Sequence, residues 1–472
     1  MQYTDLYRIL PELIFTSAAL IVLLLELVIK RKETIGFFAM ISVAVTIYFM
    51  KWSLGSTSDG MFISDGYSMF FKLIFFINLV LCILMSIQYL KIEKSLRGEY
   101  FGLLMFSTAG MMIMASAGDL IVFYVGLELM ALSTYILAGF LRSSRKSNEA
   151  GMKYFLLGAF SSAILLYGIS LVYGLTGTTD ISRLSVLLAD PAKHTSPVLL
   201  FALVMFIAAF GFKIAAAPFH MWAPDVYEGA PTPITAFMSV GPKAAAFAAM
   251  GRVFLIALSS VNVSWTQILI PVAILTMAVG NIIAISQTNI KRMLAYSSIA
   301  HAGYAMLGII VGNGEGVAAM MNYLMIYAFM NIGAFAVVIM LRSEGFSGEN
   351  LTDYEGLAKT HPLPAALMLI FMFSLTGVPP TAGFIGKFYI FVSLIDAGYA
   401  WLALVAVTFS VISAYFYLRV VMLMYMKEST VRPSLSLTPG LGLTLGITTI
   451  MVLLIGILPT VLIEMARASS LL

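Results

Sequence analysis

Four ionisable side chains stand inside apolar runs that give them no local reason to be charged. Glu128 lies in VGLELMALSTY, Lys213 in FGFKIAAAPF, Lys243 in SVGPKAAAF and Lys387 in GFIGKFY. A charge at the centre of a spanning helix costs about 2.5–3.5 kcal/mol on insertion scales, and an apolar residue could fill the same place at lower cost. Proton exchange is the chemistry such groups do well. Desolvation lowers the pKa of a lysine from about 10.4 and a nearby carboxylate raises it again, so a Glu–Lys pair that forms and parts switches a proton wherever water reaches it. Around this set stand His220, His301, Arg252 and Arg419. His301, in AYSSIAHAGYAML, suits either a relay or an interhelical hydrogen bond among small residues. For Arg252 and Arg419, helix pairing or a lipid headgroup contact is as open as a place in a conduction path. Lys72 and Glu26 are shallower and within snorkelling reach of an interface.

The elements that must position these residues follow from composition. The chain has 472 residues, 61% hydrophobic and 11% charged, with a mean hydropathy of +0.98. A span needs roughly 20 apolar residues, so this is one polytopic membrane domain, all α. Runs bounded by charge or Gly/Pro breaks predict fourteen spans, near 10–29, 35–51, 67–90, 99–116, 120–141, 153–175, 197–219, 233–258, 267–286, 293–312, 317–341, 363–395, 400–426 and 440–464. The first is an uncleaved span, because its positive cluster Lys30–Lys32 follows the apolar run instead of preceding it. The seventh is broken at Pro218, before a turn holding Pro224, Pro231 and Pro233; the twelfth contains Gly377, Pro379, Pro380, Gly383 and Gly386 and reads as two half-helices. Glu128 is nine residues past Asp119, about 13 Å into the bilayer at 1.5 Å per residue.

Loop charge sets orientation. The loops after odd-numbered spans hold the basic runs Lys30–Lys32, Lys91–Arg97, Arg142–Lys146 and Lys291–Arg292, with Lys153, Arg342, Lys359, Lys427 and Arg432. The loops after even-numbered spans hold only Lys51, Arg183 and Lys193. The positive-inside rule makes the odd loops cytoplasmic and puts both termini outside. Two loops of about twenty residues, Thr176–Ser196 and Arg342–Pro362, suit a lid or a docking surface.

Several function classes are excluded. Cys82 is the only cysteine, so disulfides, iron–sulfur clusters and thiolate metal sites have no ligands within the chain. Four histidines, two of them in loops, are too few for paired haem ligation. There is no Walker A sequence, dinucleotide fingerprint or HExxH, and the net charge of +4 is spread over short loops, so neither a nucleotide nor a nucleic acid is expected.

At these residues the chain resembles the antiporter-like membrane subunits of respiratory complex I, the NADH:quinone oxidoreductase, and within them the subunit N branch. The resemblance rests on Glu128 in the fifth span, the broken seventh span with Lys213, the turn HMWAPDVYEGAPTP from His220 to Pro233, the Pro242–Lys243 pair, and GVPPTAGFIGK ending at Lys387. It covers essentially the whole chain. Two features favour the N branch: the chain ends just beyond its fourteenth span, without the lateral helix of subunit L, and Lys387 stands where subunit M has Glu. The resemblance implies a proton-translocating subunit in a bacterial inner membrane, beside other membrane subunits of the complex. It implies no cofactor in this chain, with flavin, iron–sulfur clusters and quinone in partner subunits. Glu128 and Lys213 would form a switchable pair, Lys243 the central relay and Lys387 the outward site. Three other readings stay open: the D-type subunit of a multisubunit cation/proton antiporter, a stand-alone secondary transporter with its site at the broken helices, and a structural spacer within a complex.

Spacing adds an expectation of its own. Glu128 to Lys213 is 85 residues and His301 to Lys387 is 86; Lys213 to Lys243 is 30 and Lys387 to Arg419 is 32. An offset of five spans reverses orientation, so residues 98–260 and 265–427 are expected to be two inverted five-helix units, spans 4–8 and 9–13, flanked by 1–97 and 428–472. His301 would then hold in the second unit the place of Glu128 in the first, and Lys387 that of Lys213.

Overall fold

The computed structural model describes residues 3–343, 346–428, 435 and 437–472, so Arg432 of the basic loops lies outside the described residues. The main helices are α1 (Leu10–Val28), α2 (Lys32–Met50), α3 (Gly66–Ile92), α4 (Glu99–Ser116), α5 (Leu120–Ala138), α6 (Arg145–Thr176), α7 (Pro197–Ile214), α8 (Trp222–Gly229), α9 (Thr232–Met250), α10 (Asn262–Ile285), α11 (Ile290–Val311), α12 (Gly314–Met340), α13 (Pro362–Thr376), α14 (Ala382–Asp396), α15 (Ala400–Met426), α16 (Pro439–Ile457) and α17 (Thr460–Ala468). Among the described residues, 12 helices are long and apolar enough to cross a membrane. The two other expected spans are α4, of 18 residues and largely buried, and the twelfth, which is the pair of 15-residue half-helices α13 and α14.

Several ends differ from the sequence expectation, among them the start of α10, at Asn262 instead of 267. α7 stops at Ile214 instead of running to 219, because Ala215 turns left-handed (φ 59) and the Ala216 N–H bonds back to Gly211 at 2.7 Å, closing the helix. α13 closes in the same way, with Gly377 at φ 92 and the Val378 N–H on Phe373. α6 begins at Arg145, eight residues before the expected 153, because the Ser144 side chain caps its first turn. The fourteenth span ends at Ile457, and α17 follows as a separate helix.

α12 is buried along its whole apolar stretch, with α9 and α11 close behind, while α1, α2, α15 and α16 turn most of their residues outward. These three central helices carry Lys243, His301, Tyr304 and Tyr323. Lipid supplies no hydrophobic force between helices, so packing depends on close backbone approach at small residues. A Cβ on Gly110 would strike Gly126 and Met130, which seats α4 on α5; one on Gly280 would strike Tyr296 and Ala300, which seats α10 on α11.

The loops sort onto two faces. On one face two ion-pair clusters, linked where the Lys291 ammonium donates to the Glu228 carbonyl, join the ends of the third, fifth, seventh, ninth and eleventh spans. Lys153 and Arg292 both reach Asp225 at 2.8 Å, Arg292 and Lys146 reach Glu228, Lys291 and Arg342 reach Glu349, and Arg342 reaches Glu93 at 2.7 Å. On the other face Ser58 donates to Asp5, Thr179 to Asp119 and Ser470 to the carbonyl of Gly314, so both ends of the chain lie there. The segregation of odd from even loops that the basic residues predict is therefore present in the fold.

Candidate functional site

Glu128 and Lys213 come from facing helices, α5 and α7. Oε1 of Glu128 is buried without a hydrogen-bond partner among the described residues, and the carboxylate acts on the Lys213 ammonium through space rather than by contact. Lys213 is 6% exposed and, among the described residues, reaches only Tyr135 Oη and Ser162 Oγ, each at 3.5 Å, the outer limit of a hydrogen bond. It occupies the last turn of α7, where the free carbonyls of a helix C-terminus favour a cation. The two side chains are thus not in contact, and the break lies immediately beyond Lys213.

Lys243 sits at mid-length of α9, after Pro242. Its ammonium donates to Ser298 twice, to the carbonyl at 2.9 Å and the hydroxyl at 2.6 Å. Proline removes one backbone donor from α9, and burial around the lysine is nearly complete. One turn further along α11 is His301, whose Nδ1 meets Tyr323 Oη at 2.5 Å and whose Nε2 meets Tyr417 Oη at 3.1 Å. Tyr417 in turn meets Ser297 Oγ at 2.5 Å. Tyr304, a turn beyond His301, lies between it and Lys387: its ring is 6.0 Å from the imidazole and 5.1 Å from the Lys387 ammonium. Lys387 closes the series by donating to the carbonyls of Leu375 and Thr376 at 3.1 and 2.8 Å and to Ser410 Oγ at 2.9 Å. From Lys243 to Lys387 the bundle axis therefore carries a series of polar side chains, joined by hydrogen bonds around Ser298 and around His301 and by ring contacts on either side of Tyr304.

Contacts in the first half of the chain recur in the second at a fixed register. Gly110 against Gly126 and Met130 returns 170 positions later as Gly280 against Tyr296 and Ala300. The bridge Asp119–Asp180 returns as Asn289–Asn350, and the bonds of Leu120 to Thr179 and Ile181 to Gly118 return as Ile290 to Glu349 and Leu351 to Thr288. The first bridge lies on the face of the chain ends and the second on the opposite face. This register corrects two expectations. Glu128 corresponds to Ser298, not His301, which is one turn further on. Lys213, two residues before the left-handed Ala215, corresponds to Leu375, two before Gly377, so Lys387 belongs to the other half-helix. The corresponding positions Ser298 and Leu375 are only 77 residues apart, and the longer step from His301 to Lys387 makes up that difference, so the spacings of 85 and 86 match by coincidence.

Arg252 and Arg419 are counterparts in another sense. Arg252 Nε donates to the carbonyl of Ala115 and Arg419 Nη1 to that of Ile285, equivalent positions at the ends of α4 and α10. Arg252 also pairs with Asp65 at 2.8 Å. Both guanidiniums tie helix ends near opposite faces, and neither joins the polar series. His220, in the break between α7 and α8, is buried, with Nδ1 unpartnered among the described residues, and stands apart from the lysines.

Sequence reasoning missed Tyr323, Tyr417, Ser297, Ser298 and Ser410, because uncharged polar residues are common in membrane helices and only the fold shows which ones converge. It also missed the partner of Lys72: Glu12 of α1 holds it at 2.6 Å, with side chains 7% and 0% exposed. Its short distance from the start of α1 gave Glu12 no prominence. Among the described residues no group of three or more His, Cys, Asp or Glu could hold a metal ion.

Residues 117–413 match the family model described as NADH:quinone oxidoreductase/Mrp antiporter, TM. The chain is 49% identical over 465 residues to NADH-quinone oxidoreductase subunit N 2 of Rhizobium meliloti (strain 1021), covering 98% of this chain and 96% of that one. Its fold superposes with a TM-score of 0.82 and 31% identity on a chain of respiratory complex I from Thermus thermophilus with bound aureothin, covering 96% and 98%. A chain of the Mrp complex from Dietzia sp. DQ12-45-1b has the same fold at a TM-score of 0.84 and 21% identity, covering 99% and 97%.

Proposed function

The chain belongs to the NADH:quinone oxidoreductase/Mrp antiporter transmembrane family, and from that premise we propose that its buried lysines and Glu128 are the proton relay of an antiporter-like membrane subunit of NADH:quinone oxidoreductase. The chain is the subunit N type, a multi-pass membrane protein that works within the enzyme complex beside other membrane subunits. The observation that carries the relay is the polar series from Lys243 through Ser298, His301, Tyr323, Tyr417 and Tyr304 to Lys387, gathered about the three most buried helices, with Tyr417 supplied by α15 and Lys387 by α14.

Glu128 and Lys213 form the switch. Closing the pair holds the Lys213 proton, and opening it, as in the present arrangement, frees that proton toward Lys243. Lys243 passes it to the hydroxyl of Ser298, and the imidazole of His301, flanked by two phenols, exchanges one proton for another without net change. Lys387 is the last station. No redox chemistry is assigned to this chain; flavin, iron–sulfur clusters and quinone belong to partner subunits, where quinone reduction supplies the energy. The face with the ion-pair network is cytoplasmic by its basic loops, so both chain ends face the periplasm of a bacterial inner membrane. Residues 98–260 and 265–427 are the two inverted units. The recurrence at 170 positions and the odd number of intervening spans support this division.

The test is proton translocation by the intact complex in sealed vesicles, measured per NADH oxidised. Lys243→Ala should abolish most translocation while the complex remains assembled. Full translocation by that variant would remove the relay.

A further inference from the structure

Between the end of the ninth helix, the first turns of α10 and the last turn of α11 lies a cavity of about 370 Å³, within the roughly 300–1,000 Å³ of small-molecule sites. Gly312 lines it, two residues before the Gly314 that Ser470 holds, so it opens on the face of the chain ends. Its chemistry is graded with depth. Asn262, Thr266 and Gln267 form the rim, and none of their side chains has a hydrogen-bond partner among the described residues. Beneath them the walls are apolar: Phe254, Trp265, Ile310 and, eight residues or about 12 Å along α10 from Asn262, Ile270. Trp265 is 1% exposed and its indole N–H is committed to the Leu258 carbonyl at 3.0 Å, so it offers the cavity only its ring. No Asp, Glu, Lys, Arg or His lines the space.

What fills such a space follows from what borders it. Val263 on the rim is 66% exposed and Trp401, two residues past Tyr399 of the lining, 52%, so the rim meets the lipid surface. An apolar wall facing a void forgoes its dispersion contacts, and an acyl chain is the apolar material at hand. The rim selects the head. Side-chain amides both donate and accept, and an ethanolamine phosphate head presents acceptor oxygens, three N–H donors and no net charge. A choline head has no N–H to give, and a glycerol head leaves a phosphate charge that no cation of the rim balances. We propose that the cavity is a phospholipid site, taking one acyl chain of a lipid in the leaflet on the face of the chain ends, with Asn262, Thr266 and Gln267 holding a phosphoethanolamine head. The seated chain braces the π-helix Gly251–Ala257, which prolongs α9 and supplies Phe254 and Leu255. Such helices are rare and concentrate at functional sites. The site does not depend on the relay.

The experiment uses the intact complex in nanodiscs, with phosphatidylethanolamine, phosphatidylcholine and phosphatidylglycerol probes that carry the same diazirine-bearing acyl chain. After irradiation, mass spectrometry locates the label on this chain. The phosphatidylethanolamine probe should mark the peptides of the π-helix and the first turns of α10 at least several-fold more than the other two. Ile270→Trp, which fills the apolar part, should lower that labelling several-fold and leave labelling elsewhere on the chain unchanged. Asn262→Leu with Gln267→Leu should keep the label but remove the preference among heads. Groove labelling no higher than on the rest of the lipid-facing surface, the outcome if a neighbouring subunit covers the rim, overturns the site. Equal labelling by the three probes overturns it as well, and this comparison on the unaltered complex stands even where the Trp variant fails to assemble.

Discussion

Lys387, on the half-helix after the twelfth-span break, donates at 2.8 Å to the carbonyl of Thr376, the last residue of the half-helix before it. The ammonium thus sits at the negative end of α13, and the register of the repeat makes Leu375, also its acceptor, the counterpart of Lys213. Both units therefore bring a cation to the same place, the C-terminus of a half-helix at the break, from different points in the sequence. The bond depends on charge, so loss of the proton weakens the tie between the half-helices.

If proton exchange is what this place supplies, Lys387→Ala and Lys387→Arg should both fail. Each is expected to lower translocation per NADH about tenfold or more, equivalent to about 1.4 kcal/mol in rate, because arginine keeps its proton at every accessible pH. Vesicle translocation by the assembled variants checks this, and an active arginine variant would show that fixed charge suffices.

Glu128 and Lys213 should be energetically coupled although they are not in contact. Glu128→Gln and Lys213→Ala should each impair translocation, and the double variant should cost less than their sum by about 0.5–3 kcal/mol. Additive losses in that cycle would separate the two residues.

Arg252→Ala should weaken assembly without changing the number of protons moved per NADH by the complexes that do assemble. The guanidinium holds the end of α4 and pairs with Asp65 while 2% exposed; because Asp65 is 33% exposed and stays hydrated, the loss falls below the roughly 3–5 kcal/mol of a fully buried pair. The yield of intact complex and its coupling ratio are separate readouts. A changed ratio at normal yield would place Arg252 in the pathway.

The docking of α8 should depend on pH in one direction. Burial raises the Asp225 pKa, but the hydrogen bonds from Lys153 and Arg292 outweigh it and hold the carboxyl below its usual range; Lys146 and Arg292 do the same for Glu228. A depressed folded pKa stabilises above the ordinary carboxylate value of about 4 and is lost as pH falls through the lower folded value. With Trp52, Trp265 and Trp401 replaced by Phe, the fluorescence of Trp222, which stacks on Tyr154, should be constant near neutrality and shift in acid. Arg292→Gln should move that shift to higher pH. An unmoved transition would deny the network its role.

Charge in an apolar run is expensive enough to be visible in sequence, which is why Glu128, Lys213, Lys243 and Lys387 stand out, and why proline and glycine mark both breaks. The end of α7 was less legible, since an alanine takes the left-handed position that glycine marks in α13. The pairing of His301 with Glu128 relied on spacing between charges. The true register is carried by Gly110 and Gly280, Asp119 and Asn289, residues whose importance lies in backbone contact and capping. Tyr323 and Tyr417 were invisible because convergence on one imidazole is a property of three helices at once.

The Glu12–Lys72 pair bears on how the chain enters the membrane. Its members sit on α1 and α3, with α2 between them in sequence, and Glu12 has no further hydrogen-bond partner among the described residues. A nascent chain that has delivered only its first hairpin to the lipid carries an acid with nothing to neutralise it. The third helix brings the ammonium, so the pair can form only once α3 has packed beside α1.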